Sequence, residues 1–155
     1  MTLRIRIASR KSNLAIRQVE ILKEHLSKDI DINIIEVVAS GDKTLDKSLA
    51  DIGGKGLFIK ELENTILKDK ADVAVHSMKD METELAANTK IAGVLPRGSR
   101  SDVLLGKYAT FDDLPDGAVI GTSSVRRGAF AKSYRPDLQI KLLRGNIGTR
   151  IDKLN

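Results

Sequence analysis

A cluster of polar residues follows a short apolar run in the middle of the chain. The run at 71–75 is typical of a buried strand in a parallel sheet, and it stops at His76-Ser77-Met78-Lys79-Asp80. Ligands of open α/β sheets bind just beyond the carboxyl ends of strands. At such a position the carboxylate of Asp80 could transfer a proton or stabilise a positive charge forming in a substrate. The alternative is that Asp80 is only the N-cap of a following helix, with Lys79 solvated.

Polar and cationic residues follow the other predicted strands as well. Leu3, Ile5 and Ile7 alternate with arginines and predict a first strand, which is followed by Arg10 and by Ser12, a predicted helix N-cap. A later strand runs into glycine, hydroxyl residues and a helix, an arrangement that offers backbone N–H groups to an anion. The predicted candidate residues are Arg10, Ser12, Lys55, Ser77, Lys79, Asp80, Thr122, Ser123, Ser124, Arg126, Arg127, Arg144 and Arg150.

These candidates combine many cations, several hydroxyls and one carboxylate, so they favour a ligand that carries several carboxylates. Each has a simpler interpretation too. Arg126 and Arg127 could be a solvated helix face, and His76 is more often a histidine satisfied at a strand end than a base. No residue pattern predicts a metal site.

Composition narrows the class of protein. The chain has 155 residues, of which 41% are hydrophobic and 30% charged, enough for a packed core. It contains no cysteine, which excludes a disulfide, a thiolate metal site or a cysteine nucleophile within these residues. The net charge of +5 is concentrated between 119 and 155, where eight Lys/Arg face two Asp. We expect a soluble, intracellular protein without a signal peptide or a membrane span.

A glycine-rich segment at 39–56 contains three lysines, Lys43, Lys47 and Lys55. It does not match the nucleotide-binding pattern, since Asp46 stands where the glycine before Lys47-Ser48 is required. We expect the segment to be a mobile flap.

The predicted elements describe two α/β units. Strands are expected at 32–38, 91–95, 118–121 and 138–143, and a helix at 57–68. Proline, glycine and serine predict a hinge at 98–102, with a first domain at 1–97 and a second at 103–155. Because the last predicted helix has only begun when the sequence stops, we expect a longer parent protein.

Five stretches together resemble the porphobilinogen deaminase family, also called hydroxymethylbilane synthases. They are Arg6-Ile7-Ala8-Ser9-Arg10-Lys11-Ser12; Gly54-Lys55-Gly56-Leu57-Phe58; Ala71-Asp72-Val73-Ala74-Val75-His76-Ser77-Met78-Lys79-Asp80; Gly121-Thr122-Ser123-Ser124-Val125-Arg126-Arg127; and Leu143-Arg144-Gly145-Asn146-Ile147-Gly148-Thr149-Arg150. The resemblance covers nearly the whole chain, in the family's order.

The resemblance implies an enzyme that joins four porphobilinogen molecules into hydroxymethylbilane, releases ammonia each time, and starts from a cysteine-bound dipyrromethane cofactor. It implies Asp80 as the catalytic carboxylate and Lys55 as a flap residue. The implied cofactor-binding residues are Ser77, Lys79, Asp80, Thr122, Ser123, Ser124, Arg126 and Arg127. The implied substrate-binding residues are Arg10, Ser12, Arg144 and Arg150.

The resemblance also implies a fold: two truncated lobes of the type II periplasmic-binding kind, with mostly parallel sheets and flanking helices. The family's cofactor-bearing cysteine is absent here, and Met81-Glu82 replaces its usual valine/methionine–proline. We therefore expect this chain to be inactive alone. The family implies a cytoplasmic monomer, although exposed apolar surface could make this chain self-associate.

Two other functions are considered. A non-catalytic anion-binding module of the periplasmic-binding type would share the cations but gain nothing from Asp80. A nucleic-acid binder is disfavoured, since aromatics make up only 3% of the chain and leave few stacking platforms.

Overall fold

The structure is a computed structural model that describes residues 2–39 and 59–154. The chain divides into two compact units, residues 1–96 and 97–155. Both have mixed α/β structure with small parallel sheets, which agrees with the predicted class at this coarse level. The glycine-rich segment, including Lys43, Lys47 and Lys55, lies outside the described residues.

Unit 1 is built on a three-stranded parallel sheet. Its strands are β1 (Leu3–Arg10), β2 (Ile30–Val37) and β3 (Val73–Ala74), in the order β2-β1-β3. The central strand β1 is covered on both sides, and Ile7 and Ala8 are completely buried there. Burial on both faces is typical of the central strand of a parallel sheet.

Two helices flank this sheet. α1 (Asn13–Glu24) begins at the predicted N-cap Ser12, and it buries Ala15 and Val19. α2 (Lys60–Leu67) buries Leu62, which packs with residues of β1 and β3. A single 3-10 turn, Met78–Asp80, follows β3.

Unit 2 contains a two-stranded parallel sheet of β4 (Val119–Gly121) and β5 (Gln139–Lys141), with the helices α3 (Val125–Tyr134) and α4 (Ile147–Asp152). The crossover helix α3 lies close to the sheet where Gly128 is buried. A Cβ there would lie 3.3 Å from Ile140 Cγ2, so a larger residue would push the helix away.

Some sequence predictions were wrong in extent or kind. The strand predicted at 91–95 is absent, because the segment is solvated and pairs with no strand of the described residues; Ile91 and Val94 are 49% and 70% exposed. The strand predicted at 138–143 shortens to β5, since β4 offers only three residues to pair with. Within 2–39 and 59–154, no helix is long and apolar enough to cross a membrane.

Candidate functional site

Two strands of unit 1 end at the same sheet edge, and predicted site residues follow both. β1 ends at Arg10, and its parallel neighbour β3 ends at Ala74. Ala8 pairs with Ala74, and the N–H of Val75 donates to the carbonyl of Ala8 at 3.1 Å. Arg10, the last residue of β1, therefore lies at the carboxyl edge of the sheet, and the stretch that begins at His76 lies just beyond it, where α/β proteins bind ligands.

Two serine hydroxyls near this edge accept hydrogen bonds from the protein. Ser12 Oγ accepts from the N–H of Ala15 at 3.3 Å, and Ser77 Oγ accepts from Gln18 Nε2 at 2.9 Å. With each oxygen occupied as an acceptor, the hydroxyl hydrogen remains available for donation to a carboxylate. Gln18 is not among the residues predicted from the sequence; its one local signal is that it is a polar side chain beside the buried helix position Val19.

The 3-10 turn contains Lys79 and Asp80. The Asp80 N–H donates to the carbonyl of Ser77 at 3.0 Å, which closes the turn. Asp80 is half-buried and Lys79 is exposed. The N-cap alternative for Asp80 was wrong, because the chain turns extended at Met81 (φ −68°, ψ 143°) and no helix follows.

His76 lies just after β3 and contacts the backbone of the next residue. Its Nδ1 lies 3.3 Å from the carbonyl oxygen of Ser77. In the described parts of the chain, no group of three or more His, Cys, Asp or Glu could hold a metal ion.

In unit 2, hydroxyl residues connect β4 to α3. Ser124 is the N-cap, and its Oγ accepts from the N–H of Arg127 at 3.3 Å. Thr122 Oγ1 accepts from the N–H of Ser124 at 3.1 Å. Ser123, between them, is half-buried. As in unit 1, the two oxygens that accept leave their hydroxyl hydrogens for an anion.

The first turn of α3 carries Arg126 and Arg127, and both guanidinium groups contact Asp102. Arg127 donates from Nε at 2.9 Å and from Nη2 at 2.7 Å, and Arg126 donates from Nη2 at 3.3 Å. The hydrogen bond from Arg127 is the main reason that the pKa of Asp102 falls below its usual range, and it raises the pKa of Arg127 in turn. The arginines are thus not simply a solvated helix face.

Arg144 lies in the turn between β5 and α4, and Arg150 lies in α4 itself. Arg144 is only 7% exposed, and Arg150 Nε donates to the carbonyl of Gly145 at 2.7 Å. Burial lowers the pKa of Arg150, and the positive charges of Arg127 and Arg144 lower it further. Arg127 and Arg144 therefore both lie close enough to Arg150 to repel its positive charge.

A concavity of about 930 Å³ opens in unit 2 beside these arginines. Its polar lining includes Asp102, Thr122, Arg127 and Arg150, whereas most of its remaining wall is apolar, with Phe130 as an example. This combination of cations, hydroxyls and an apolar wall suits an organic molecule with several carboxylates.

The candidate residues thus form two groups, one in each unit. The group in unit 1 is Arg10, Ser12, Ser77, Lys79 and Asp80. The group in unit 2 is Thr122, Ser123, Ser124, Arg126, Arg127, Arg144 and Arg150. Lys55 lies outside the described residues.

The fold and these groups define an α/β protein whose strand ends carry cations and hydroxyl groups. Residues 5–155 match the family model described as porphobilinogen deaminase, dipyromethane cofactor binding domain. The chain belongs to the porphobilinogen deaminase family. It is 46% identical to the porphobilinogen deaminases of two strains, Tuc7 and APS, of Buchnera aphidicola subsp. Acyrthosiphon pisum, over 97% of its own length and 49% of theirs. The chain therefore spans about half the length of these curated relatives.

Proposed function

We propose that residues 1–155 form the substrate- and cofactor-binding part of a hydroxymethylbilane synthase, which condenses four porphobilinogen molecules and releases ammonia. The observation that carries this proposal is the concavity of about 930 Å³ in unit 2, whose lining includes Thr122, Arg127 and Arg150 beside an apolar wall. A concave site with an apolar wall and a few convergent cations and hydroxyls is typical of a binding site for an organic anion. The acetate and propionate groups of porphobilinogen are suitable anions.

The start of α3 fits the dipyrromethane cofactor that the family model names. Dipyrromethane, when bound, supplies the primer pyrrole to which the first substrate is joined. Guanidinium and hydroxyl groups are the donors that its carboxylates require. The residues proposed to hold it are Ser77, Lys79, Asp80, Thr122, Ser123, Ser124, Arg126 and Arg127.

Asp80 is the proposed catalytic carboxylate. It is half-buried, and it follows the strand end at which Ser77 offers a hydroxyl hydrogen. A carboxylate held there can interact with a pyrrole nitrogen and stabilise the azafulvene cation that forms when ammonia leaves. Arg10, Ser12, Arg144 and Arg150 are proposed to bind the substrate's acetate and propionate groups, and Lys55 to lie on a flap.

The finer fold assignment is also proposed. The parallel sheets and the division into two units support lobes of the type II periplasmic-binding kind, joined by a hinge at 98–102. Cytoplasmic location and a monomeric state in the full-length family remain predictions of the resemblance.

Catalysis is tested best in a chimera in which residues 1–155 replace the matching half of the Buchnera aphidicola relative. We expect the chimera to release ammonia from porphobilinogen and Asp80→Asn to lower kcat by about 100- to 1,000-fold, the cost of losing a preorganised electrostatic group. The matched control is Glu84→Gln, a nearby exposed carboxylate, which should leave kcat unchanged. An Asp80→Asn chimera with full activity would favour the non-catalytic anion-binding module instead.

Activity of the chain by itself is a separate question. Residues 1–155 contain no cysteine to hold the primer, so we expect no ammonia release when they are purified alone. Turnover by the isolated chain would contradict this part of the proposal.

A further inference from the structure

Asp102 was predicted only as the last residue of a hinge, but it contacts both arginines of the first turn of α3. Its Oδ1 accepts two hydrogen bonds from Arg127, from Nε at 2.9 Å and from Nη2 at 2.7 Å. Its Oδ2 accepts from Arg126 Nη2 at 3.3 Å. One carboxylate therefore bridges two guanidinium groups.

These contacts use one edge of the Arg127 guanidinium. A guanidinium group has a side edge, here Nε and Nη2, and an end edge formed by its two Nη atoms. Asp102 takes the side edge, and Nη1 of Arg127 donates to none of the described residues. The end edge retains the fork geometry that binds a carboxylate with two parallel hydrogen bonds.

The two arginines need such a partner to adopt a defined orientation. Arg126 and Arg127 are adjacent, they are 61% and 47% exposed, and they lie at the positive end of the α3 dipole. Left alone, their long side chains would separate and sample many rotamers. A bridging carboxylate opposes both effects.

We propose that Asp102 is a positioning residue that holds Arg127 by its side edge and so presents the end edge to a carboxylate of the ligand. The ligand class rests on the proposed function. The opposite role is that Asp102 occupies the ligand's own place as a resident counter-ion. The first role requires binding to weaken when Asp102 is removed, and the second requires it to tighten.

Two substitutions separate charge from geometry. Because both hydrogen bonds from Arg127 end on Oδ1, Asp102→Asn keeps the oxygen that Arg127 uses and removes the charge and the Oδ2 acceptor of Arg126. Asp102→Ala removes both oxygens and the charge. The matched control is Asp112→Ala. It removes another carboxylate from the lining of the same concavity, one that accepts a hydrogen bond from the hydroxyl of Tyr134.

The test measures binding of porphobilinogen and of glutarate, a plain dicarboxylate, to the 155-residue chain by calorimetry. We expect Asp102→Ala to weaken the affinity for both compounds by about 5- to 10-fold, as for one oriented hydrogen-bonding group. The affinities of Asp102→Asn and Asp112→Ala should stay within about 2-fold of wild type.

A second measurement reports on the orientation of Arg127. In ¹H–¹⁵N spectra, its Nε–H signal is assigned by its loss in Arg127→Lys. This signal should be protected from solvent exchange in wild type and Asp102→Asn but not in Asp102→Ala.

The outcomes are distinguishable. Equal or tighter binding by Asp102→Ala overturns the positioning role. If that variant does not fold, binding more than about 5-fold tighter by Asp102→Asn overturns it, and an unchanged affinity with a protected signal supports it. If the affinities of wild type and the variants for glutarate follow the expected order but porphobilinogen does not bind, the result supports the role of Asp102 and contradicts the proposed function. Binding of neither compound by wild type overturns both.

Discussion

The side chains of Arg6 and Asp72 join the central strand β1 to the residue just before β3. Arg6 donates from Nε to Asp72 Oδ2 at 3.2 Å and from Nη2 to Oδ1 at 2.7 Å, and its backbone N–H donates to Oδ2 at 2.7 Å. The Asp72 N–H donates in return to the carbonyl of Arg6 at 2.9 Å. This pair aligns β3, which is only two residues long, and thereby the turn that carries Asp80.

We predict that Asp72→Ala lowers the melting temperature of the chain by several degrees. Hydrogen bonds from Arg6 lower the pKa of Asp72 to about 2. A lowered pKa gives stability that is fully present above the unfolded pKa of about 4 and is lost as the pH falls toward 2. The urea midpoints of wild type and Asp72→Ala should therefore differ most at pH 7 and should differ less at pH 2.5.

The control for this prediction is Asp29→Ala, which removes an exposed aspartate that contacts no arginine among the described residues. It should unfold like wild type at both pH values. A wild-type advantage over Asp72→Ala that stays constant from pH 7 to pH 2.5 would show that ionisation of Asp72 does not contribute.

Gln18 is predicted to orient the hydroxyl of Ser77 for ligand binding. Gln18→Ala should weaken porphobilinogen binding about 3- to 10-fold, the range for one neutral hydrogen bond. Gln18→Glu should weaken it further, because Ser77 would then donate its hydrogen to the new carboxylate. Calorimetry checks this, with Arg17→Ala as the control on the exposed face of α1. Equal affinity for all three variants would contradict the assignment.

Local sequence signals predicted the elements that depend on neighbouring residues. The N-cap at Ser12 and the strands β1 and β2 follow from capping chemistry and from apolar patterns within a few residues. The segment 91–95 has the same apolar character, but a strand also needs a partner, which no local pattern supplies.

Contacts between distant residues could not be predicted from the sequence. Asp102 precedes Arg127 by 25 positions, and Gln18 precedes Ser77 by 59. The arginines and the serine were predicted because glycine and hydroxyl residues flank the predicted strand ends. Their partners Asp102 and Gln18 were not predicted, because a single aspartate in a loop or a glutamine on a helix has no distinctive spacing.

Arg135 is predicted to be a main stabiliser of unit 2. Its side chain is 19% exposed, and it donates to the carbonyls of Phe111 and Leu114 and to the carboxylates of Asp116 and Asp137. Arg135→Lys keeps the charge but not the planar fork, so it should lower the thermal midpoint by several degrees. The control Lys132→Ala removes a single exposed hydrogen bond to the Pro136 carbonyl and should have little effect. Similar midpoints for wild type and Arg135→Lys would show that charge alone suffices.

Gly145 is predicted to be irreplaceable at the turn between Arg144 and Arg150. Its φ is +123°, and a Cβ would lie 2.8 Å from Thr149 Cγ2 and 2.9 Å from Thr149 Cβ. Gly145→Ala should therefore cost about 1–3 kcal/mol of unfolding free energy through backbone strain and this clash, measured by urea denaturation.

A second substitution separates strain from the clash. Adding Thr149→Ala should recover only part of the lost unfolding free energy, since the strain in φ remains. Gly93→Ala, with nothing within 4 Å of its new Cβ, is the control. Full recovery in the double variant would assign the cost to the clash alone, and an unchanged single variant would contradict the prediction.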